Sequence, residues 1–244
     1  MRLTFLGSGD AFGSGGRFNT CFWVERNDGD FLIDCGASSL IAMRKQNMDP
    51  NCIRTIFISH LHGDHFGGLP FFILDAQFYS RRTNPLTIVG PRGFTERVNA
   101  AMELFFPGSS STKQKFDFDV QEIDAGETRV INGISLTTTL VYHACGAPPL
   151  ALRLTCDDKT IAYSGDTEWT DALIPIGQNA DLFIAEALTF VRKIRFHLDY
   201  TSLKANLDKI GAKQVILTHL GPDMLAHVAD VPETIAYDGL VVEF

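Results

Sequence analysis

The chain has 244 residues, a formal net charge of −8 from 21 Lys and Arg against 29 Asp and Glu, and is 45% hydrophobic and 20% charged. That is an ordinary globular balance, which excludes a disordered, collagen-like or disulfide-scaffold chain. A core at this length buries roughly 70–75% of the unfolded surface and needs no staples. The acidic total argues against a general nucleic-acid coat or a binder of anionic membranes. The longest apolar run, 66–79, contains Asp75 and Gln77 and falls short of the about 20 residues that cross a bilayer. The first residues enter a strand-like segment and not a signal-type apolar region. The five cysteines are odd in number, scattered and without a CxxC pair, as in reduced cytosolic proteins. A soluble cytoplasmic protein with no membrane partner, forming one domain over 1–244, is the expectation.

In chain order, short apolar runs at 2–6, 21–25 and 31–34 alternate with turn residues, and Asn27-Asp28-Gly29 marks a hairpin. A helical pattern follows at 37–46, then a short apolar strand at 54–59. Helix-length segments at 67–79 and 94–106 flank a strand at 86–89, and 107–115 is the most loop-like stretch. The second half places strands at 116–123, 134–141, 151–155, 160–164, 181–185 and 214–218. A helix is expected over 201–210, with Thr201 as N-cap and Gly211 as C-cap. Two strand-rich halves with interspersed helices predict an α/β (α+β) architecture: two mixed sheets packed face to face with helices outside, a four-layer αββα sandwich.

The decisive stretch is Ser59-His60-Leu61-His62-Gly63-Asp64-His65, at the end of a buried strand, where α/β proteins place their sites. Imidazole and carboxylate together suit zinc, with manganese or iron as alternatives. If His60 and His62 point one way along an extended segment, Asp64 and His65 can face a second position. The remaining ligands must come from elsewhere, and His143, Asp166 and His219 each follow a strand-like run. Cys145, two residues beyond a histidine, reads as a pocket-wall residue. His227 fits no motif and reads as structural or solvated. The glycines at 7, 9, 13, 15 and 16 match no phosphate-loop pattern; they let that loop fold close to the metal rim, where Arg17 is a weak candidate for a phosphate contact.

Through HLHGDH at 60–65, His143, SGDT at 164–167 and THL at 218–220, the chain resembles the metallo-β-lactamase fold hydrolases. Within them LGSGDAFGSGGRFNT at 6–20, AEALTF at 185–190 and His197 make it most similar to the ribonuclease Z group and related phosphodiesterases. The resemblance implies two divalent metal ions, one held by His60, His62 and His143, the other by Asp64, His65 and His219, with Asp166 between them. Two such ions about 3.5–4 Å apart share and acidify a water, so the bridging hydroxide is the expected nucleophile and Asp64 the group that orients it or takes its proton. His197 is the expected donor of a proton to the leaving oxygen, with Glu186 fixing its tautomer.

Ribonuclease Z relatives carry a basic, Gly-rich tRNA-gripping arm between the motif histidine and the SGDT aspartate. Here 144–165 has room only for two strands and a turn. That departure and the acidic charge argue against tRNA, since phosphate contacts dominate nucleic-acid affinity, and favour a small phosphodiester such as a cyclic nucleotide or other cyclic phosphate. Two alternatives stand beside the phosphodiesterase reading: hydrolysis of a carbonyl or sulfate ester (lactone, thioester, aryl sulfate), and a non-catalytic, metal-free scaffold. The aromatic segment 66–79 with Phe105 and Phe106 reads mainly as core, its surplus lining an apolar pocket or the face of a homodimer.

Overall fold

The computed structural model describes residues 1–244. Alternation along the strands decides the layering. In β2 (Cys21–Glu25), Phe22 and Val24 enter one core while Cys21 enters another; in β11 (Leu182–Glu186), Leu182 and Ile184 face inward while Phe183 and Ala185 face outward. Strands apolar on both faces must be covered on both, and two sheets backed by helices satisfy that requirement.

The first sheet runs β14 (Val241–Glu243), β1 (Arg2–Gly7), β2, β3 (Asp30–Ile33), β4 (Ile53–Phe57), β5 (Leu86–Pro91) and β6 (Phe118–Ile123); the second runs β13 (Thr234–Ile235), β12 (Val215–Thr218), β11, β10 (Lys159–Tyr163), β9 (Leu150–Cys156), β8 (Ile134–Leu140) and β7 (Thr128–Ile131). The sheets mirror one another, since β3 to β6 and β10 to β13 pair in parallel while the remaining neighbours are antiparallel. Between them lies a core that includes Phe5, Phe22, Phe31 and Phe57 from one side and Leu152, Tyr163, Ile184 and Ile216 from the other. Edge-to-face contacts such as Phe22 on Tyr163, with centroids 5.3 Å apart, join the two sheets. Truncating one of these rings to alanine costs about 3–5 kcal/mol.

Helices α1 (Ser39–Lys45), α3 (Leu69–Leu74) and α4 (Phe94–Phe105) contribute Met43, Phe72 and Val98 to the outer core of the first sheet. Helices α5 (Leu173–Gly177), α6 (Tyr200–Lys204), α7 (Leu207–Ile210) and α8 (Pro222–Leu225) contribute Ile176, Leu203, Ile210 and Met224 to that of the second. Helix α2 (Gly63–Phe66) is one turn inside the histidine-rich segment. The expected αββα sandwich is therefore the observed one. No helix is long and apolar enough to cross a membrane.

Several boundaries differ from expectation. The helix expected over 201–210 is two pieces, α6 and α7, broken at Ala205 and Asn206, and its N-cap is Asp199, not Thr201. The Asp199 carboxylate accepts from both Ser202 N (2.8 Å) and Thr201 Oγ1 (2.5 Å), and two bonds to a charged acceptor outweigh the single bond a threonine hydroxyl offers. Gly211, with φ +61°, closes the end as expected. The segment 67–79 is α3 followed by a π-helical turn, Asp75–Tyr79. Gln77 is buried there, accepting from Lys115 N (2.9 Å) and donating to Lys113 O (3.3 Å), which ties down the loop at 107–115. The strands β7, β13 and β14 were not anticipated. Each is short and ends a sheet, and an edge strand with one partner needs no strong apolar pattern.

Candidate active site

The site lies where the strands of both sheets end, mostly at the carboxyl ends of parallel strands, the position where open α/β sheets bind ligands. The loop after β4 carries His60, His62, Asp64 and His65; His143 follows β8, Asp166 follows β10, Glu186 ends β11 and His219 follows β12. Two donor groups assemble, His60 with His62 and His143, and Asp64 with His65, Asp166 and His219, and a third, Asp166 with Glu186, His197 and His219, shares two residues with the second; in each, one ligand atom per residue lies within 4.8 Å of the others. The structure brings together the residues expected from the sequence, with Asp166 grouped with Asp64, His65 and His219 and not with His60, His62 and His143. Asp166 adjoins both groups, with Oδ2 3.3 Å from His219 Nε2 and 3.8 Å from His60 Nε2, and Oδ1 3.4 Å from His65 Nε2.

Hydrogen bonds on the outer ring nitrogens aim the inner ones. His65 Nδ1 donates to Asp34 Oδ2 at 2.7 Å, His60 Nδ1 lies 3.1 Å from Ser59 Oγ, and His143 Nδ1 donates to Phe196 O at 2.9 Å. Nε2 of each is thereby left as a lone-pair donor facing the cluster. His62 is turned the other way, its Nδ1 facing His143 Nε2 at 2.9 Å. Buried His60 Nε2, His65 Nε2 and Asp166 Oδ1 have no hydrogen-bond partner within the chain. Buried polar atoms are nearly always satisfied, and a set of imidazole and carboxylate donors converging on one space has the chemistry to hold divalent cations.

The charge balance is that of a ligand shell. Burial, reinforced by the other histidines, holds His60 well below the ordinary imidazole range, and burial lowers His143 too, so both are neutral, as metal ligands must be. Burial also opposes charge on Asp166, yet His219, His65 and His60 hold its carboxyl well below the usual range. At His65 burial is outweighed by Asp166, Asp64 and Asp34, which push its affinity for a proton well up.

Asp34 was missed in the sequence. Its carboxylate accepts from His65 Nδ1, Ser59 N (2.7 Å) and Ser59 Oγ (2.8 Å) and is fully buried. The available signal was an aspartate closing an apolar strand, FLID, at the same kind of end as the other candidates. Asp34, Phe196 and His219 all have positive φ (+57°, +71° and +60°), and such strained backbone concentrates at sites the surrounding structure over-determines. Gly36 lets the two loops meet, since a Cβ there would lie 2.1 Å from Asp64 O.

Glu186 and His197 are brought together as expected. The Glu186 Oε1 atom accepts from His197 Nδ1, while Oε2 accepts from Thr167 N at 2.8 Å and Leu198 N at 3.3 Å. Burial alone would lower His197, but the hydrogen bond and charge of Glu186, then Asp166 and Asp64, raise it to about 9. Glu186 is itself held above the usual carboxyl range by burial and by Asp166. His197 Nε2 carries no hydrogen bond, and its ring centroid lies 5.0 Å from that of His143.

Arg17 is not placed for a phosphate: its Nη1 donates to Ala236 O at 2.8 Å, so it holds the C-terminal segment. Cys145 is buried and donates to Ala147 O at 3.0 Å, outside the donor groups, and all five cysteines are unpaired. His227 stacks on Phe190 at 4.2 Å and meets Asp230 at the surface, a structural role.

Histidines and aspartates converge at the strand ends of a four-layer sandwich of two mirrored mixed sheets, and that sandwich is the metallo-β-lactamase fold. Solved structures with this arrangement include human tRNase Z, short form (24% identity, TM-score 0.82, 100% of this chain and 99% of that one), and the metallo-β-lactamase fold protein YhfI from Bacillus subtilis (20%, 0.81, 99% of each). The ribonuclease Z of Geobacillus kaustophilus is 27% identical over 305 aligned positions, covering all of this chain and 97% of the relative. The chain belongs to the family described as anti-Pycsar protein Apyc1, whose model matches residues 1–235.

Proposed function

We propose that this chain is a phosphodiesterase holding two divalent cations, zinc first among them, and acting on a small phosphodiester such as a cyclic nucleotide or another cyclic phosphate. The observation that carries the reading is the Glu186–His197 pair on the rim of the donor cluster, with Nε2 of His197 free. An alkoxide leaving phosphorus needs a proton, whereas the thiolate leaving a thioester or the phenolate leaving an aryl ester needs it less.

His60, His62 and His143 would hold one cation, Asp64, His65 and His219 the other, and Asp166 both. Such a pair, when bound, supplies a water acidified toward neutral pH and positive charge for the developing phosphoryl oxygens. The chain does the rest. Asp64, at the mouth of the cluster, accepts the proton of the attacking water. The new bond forms between water oxygen and phosphorus, the bond from phosphorus to the leaving oxygen breaks, and His197 Nε2 gives that oxygen its proton. Glu186 holds the imidazole in the protonated form and in one orientation.

Relatives named ribonuclease Z bring RNA into view, and two features favour a smaller ester. Between His143 and Asp166 lie only β9, β10 and the turn at Asp157 and Asp158, leaving no arm to grip a tRNA. The 305-position alignment against 244 residues leaves the relative with segments this chain lacks. An apolar cluster of Phe71, Phe105 and Phe106, with ring centroids 5.3–5.9 Å apart, stands partly exposed beside Leu104. It fits a second copy of the chain. Phe71→Glu with Phe105→Glu should lower the mass seen by sedimentation from dimer to monomer; a wild-type monomer sinks the dimer.

The test of the activity is elemental mass spectrometry with turnover of an aryl phosphodiester by the same sample. About two metals per chain with chelator-sensitive turnover is the expected result. Two metals with turnover only of carbonyl or sulfate esters would overturn the phosphodiesterase reading, and failure to take up zinc, manganese or iron would leave a scaffold. His197→Ala should keep the metals and slow alkyl leaving groups about 10²–10⁴-fold, p-nitrophenolate far less; equal slowing of both removes the general acid.

A further inference from the structure

Residues 190–198, between β11 and α6, leave the body of the protein and return to it at one place. Leu188 N donates to Leu198 O (3.0 Å), Tyr200 N donates to Thr189 O (2.8 Å), and Thr189 and Asp199 form an isolated bridge. Beyond that base the strap is thinly held. Val191, Arg192, Lys193 and Arg195 are exposed, and neither Ile194 nor Phe196 joins a core. From 193 to 197 only two hydrogen bonds cross to the body: Phe196 O accepts from His143 Nδ1 at 2.9 Å, and His197 Nδ1 donates to Glu186 Oε1. Phe196 reaches the first of these with φ +71°, a left-handed backbone that an aromatic residue rarely takes and that persists only where its surroundings over-determine it.

We infer that Phe196 is a positioning residue whose carbonyl latches this strap to a metal ligand, so that filling the three-histidine group is what sets the proton donor in place. A neutral imidazole carries one N–H, on either ring nitrogen. With Nε2 of His143 engaged by a cation, its proton is confined to Nδ1 and the bond to Phe196 O is obligatory. With Nε2 free, the proton can sit there instead and face His62 Nδ1, 2.9 Å away. Nδ1 is then an acceptor opposite a carbonyl that has no proton to give, and the latch is lost. His197 is the next residue along, so the same bond fixes where its ring begins, with a centroid 5.0 Å from that of His143. Binding a cation and placing the proton donor thereby become one event.

This inference rests on the phosphodiesterase reading, and the experiment separates the two. Arg192, Lys193 and Arg195 put trypsin sites on the strap itself, and cleavage there follows the population of the opened segment. Zinc added to the chelated protein should slow cleavage after these three residues about tenfold, read by mass spectrometry of the fragments. Cleavage after Lys113 and Lys115, in the loop at 107–115, should not change. Phe196→Val, whose β-branched side chain opposes left-handed backbone, should take up zinc and lose the protection, whereas Phe196→Asn, which accepts that backbone, should keep it. On an alkyl phosphodiester kcat of Phe196→Val should fall about tenfold below that of Phe196→Asn with KM alike, and on a p-nitrophenyl ester the two should be close. Zinc uptake with no change in strap cleavage overturns the latch, and so does equal loss of protection in both variants, which would make the ring and not the backbone the holding group. Zinc protection that splits the two variants, in a protein that hydrolyses no phosphodiester, sustains the latch and overturns the phosphodiesterase reading.

Discussion

The two sheets contribute to the site in opposite ways. The first delivers four of its groups, His60, His62, Asp64 and His65, from a single loop after β4; the second delivers His143, Asp166, Glu186 and His219 one at a time from the ends of four strands. In the first half spacing within one short segment sets the geometry. In the second, strand register does, because Glu186 and Thr218 are direct neighbours across β11 and β12, and a one-residue slip would turn each side chain to the opposite face. A contiguous loop concentrates function where one change removes it, whereas dispersed ligands tie function to the integrity of a whole sheet.

The strongest way to break the comparison is to delete one ligand from each half. His62→Ala should lower both metal content and turnover, with activity down at least about a thousandfold, measured by elemental mass spectrometry and kinetics on one sample. His219→Ala should lose about one metal per chain and keep the other. Loss of both ions in His219→Ala would mean that the groups bind as one unit. A smaller effect is expected behind the ligands. Asp34→Asn leaves all seven in place but weakens the bond aiming His65, so metal affinity should fall about 10–100-fold by competition with a chelator. The smallest effect is protonic. In the metal-free protein His197 should titrate near 9 by NMR, and Glu186→Gln should return it toward the ordinary imidazole value of about 6.5. A raised folded-state value favours the protonated form, so the pair stabilises the fold fully below about pH 6.5 and loses that contribution as pH rises through about 9. A titration unmoved by Glu186→Gln would remove the pairing from the mechanism.

Legibility in the sequence followed the same division. HLHGDH announces itself because three histidines and an aspartate in six residues serve no core, and the loop they occupy is bounded by an apolar strand. His143, Asp166 and His219 are each unremarkable alone and became legible only as strand-end residues repeating one pattern. Asp34 escaped because its job, holding a ring from behind, requires knowing which histidine lies across from it. Arg17 was misjudged for a related reason: a charged side chain near a rim can face either way, and the partner that settles its direction, Ala236 O, is 219 residues along the chain. The layers were readable from two strand-rich halves with helices between them; the edge strands β7, β13 and β14 were not, since each is only two to four residues long and largely exposed.

The Asp238 carboxylate accepts from Ser8 N (3.0 Å), Ser8 Oγ (2.9 Å) and Phe18 N (2.8 Å), Ser8 O in turn accepts from His219 N (3.0 Å), and β14 completes the sheet by pairing with β1. The loop from 8 to 18 thus takes its native shape only once residues some 220 positions later have arrived. During synthesis on a ribosome the histidine-rich segment emerges early, but the wall that positions His219 closes last, so assembly of a working site is a late event that a nascent chain cannot anticipate.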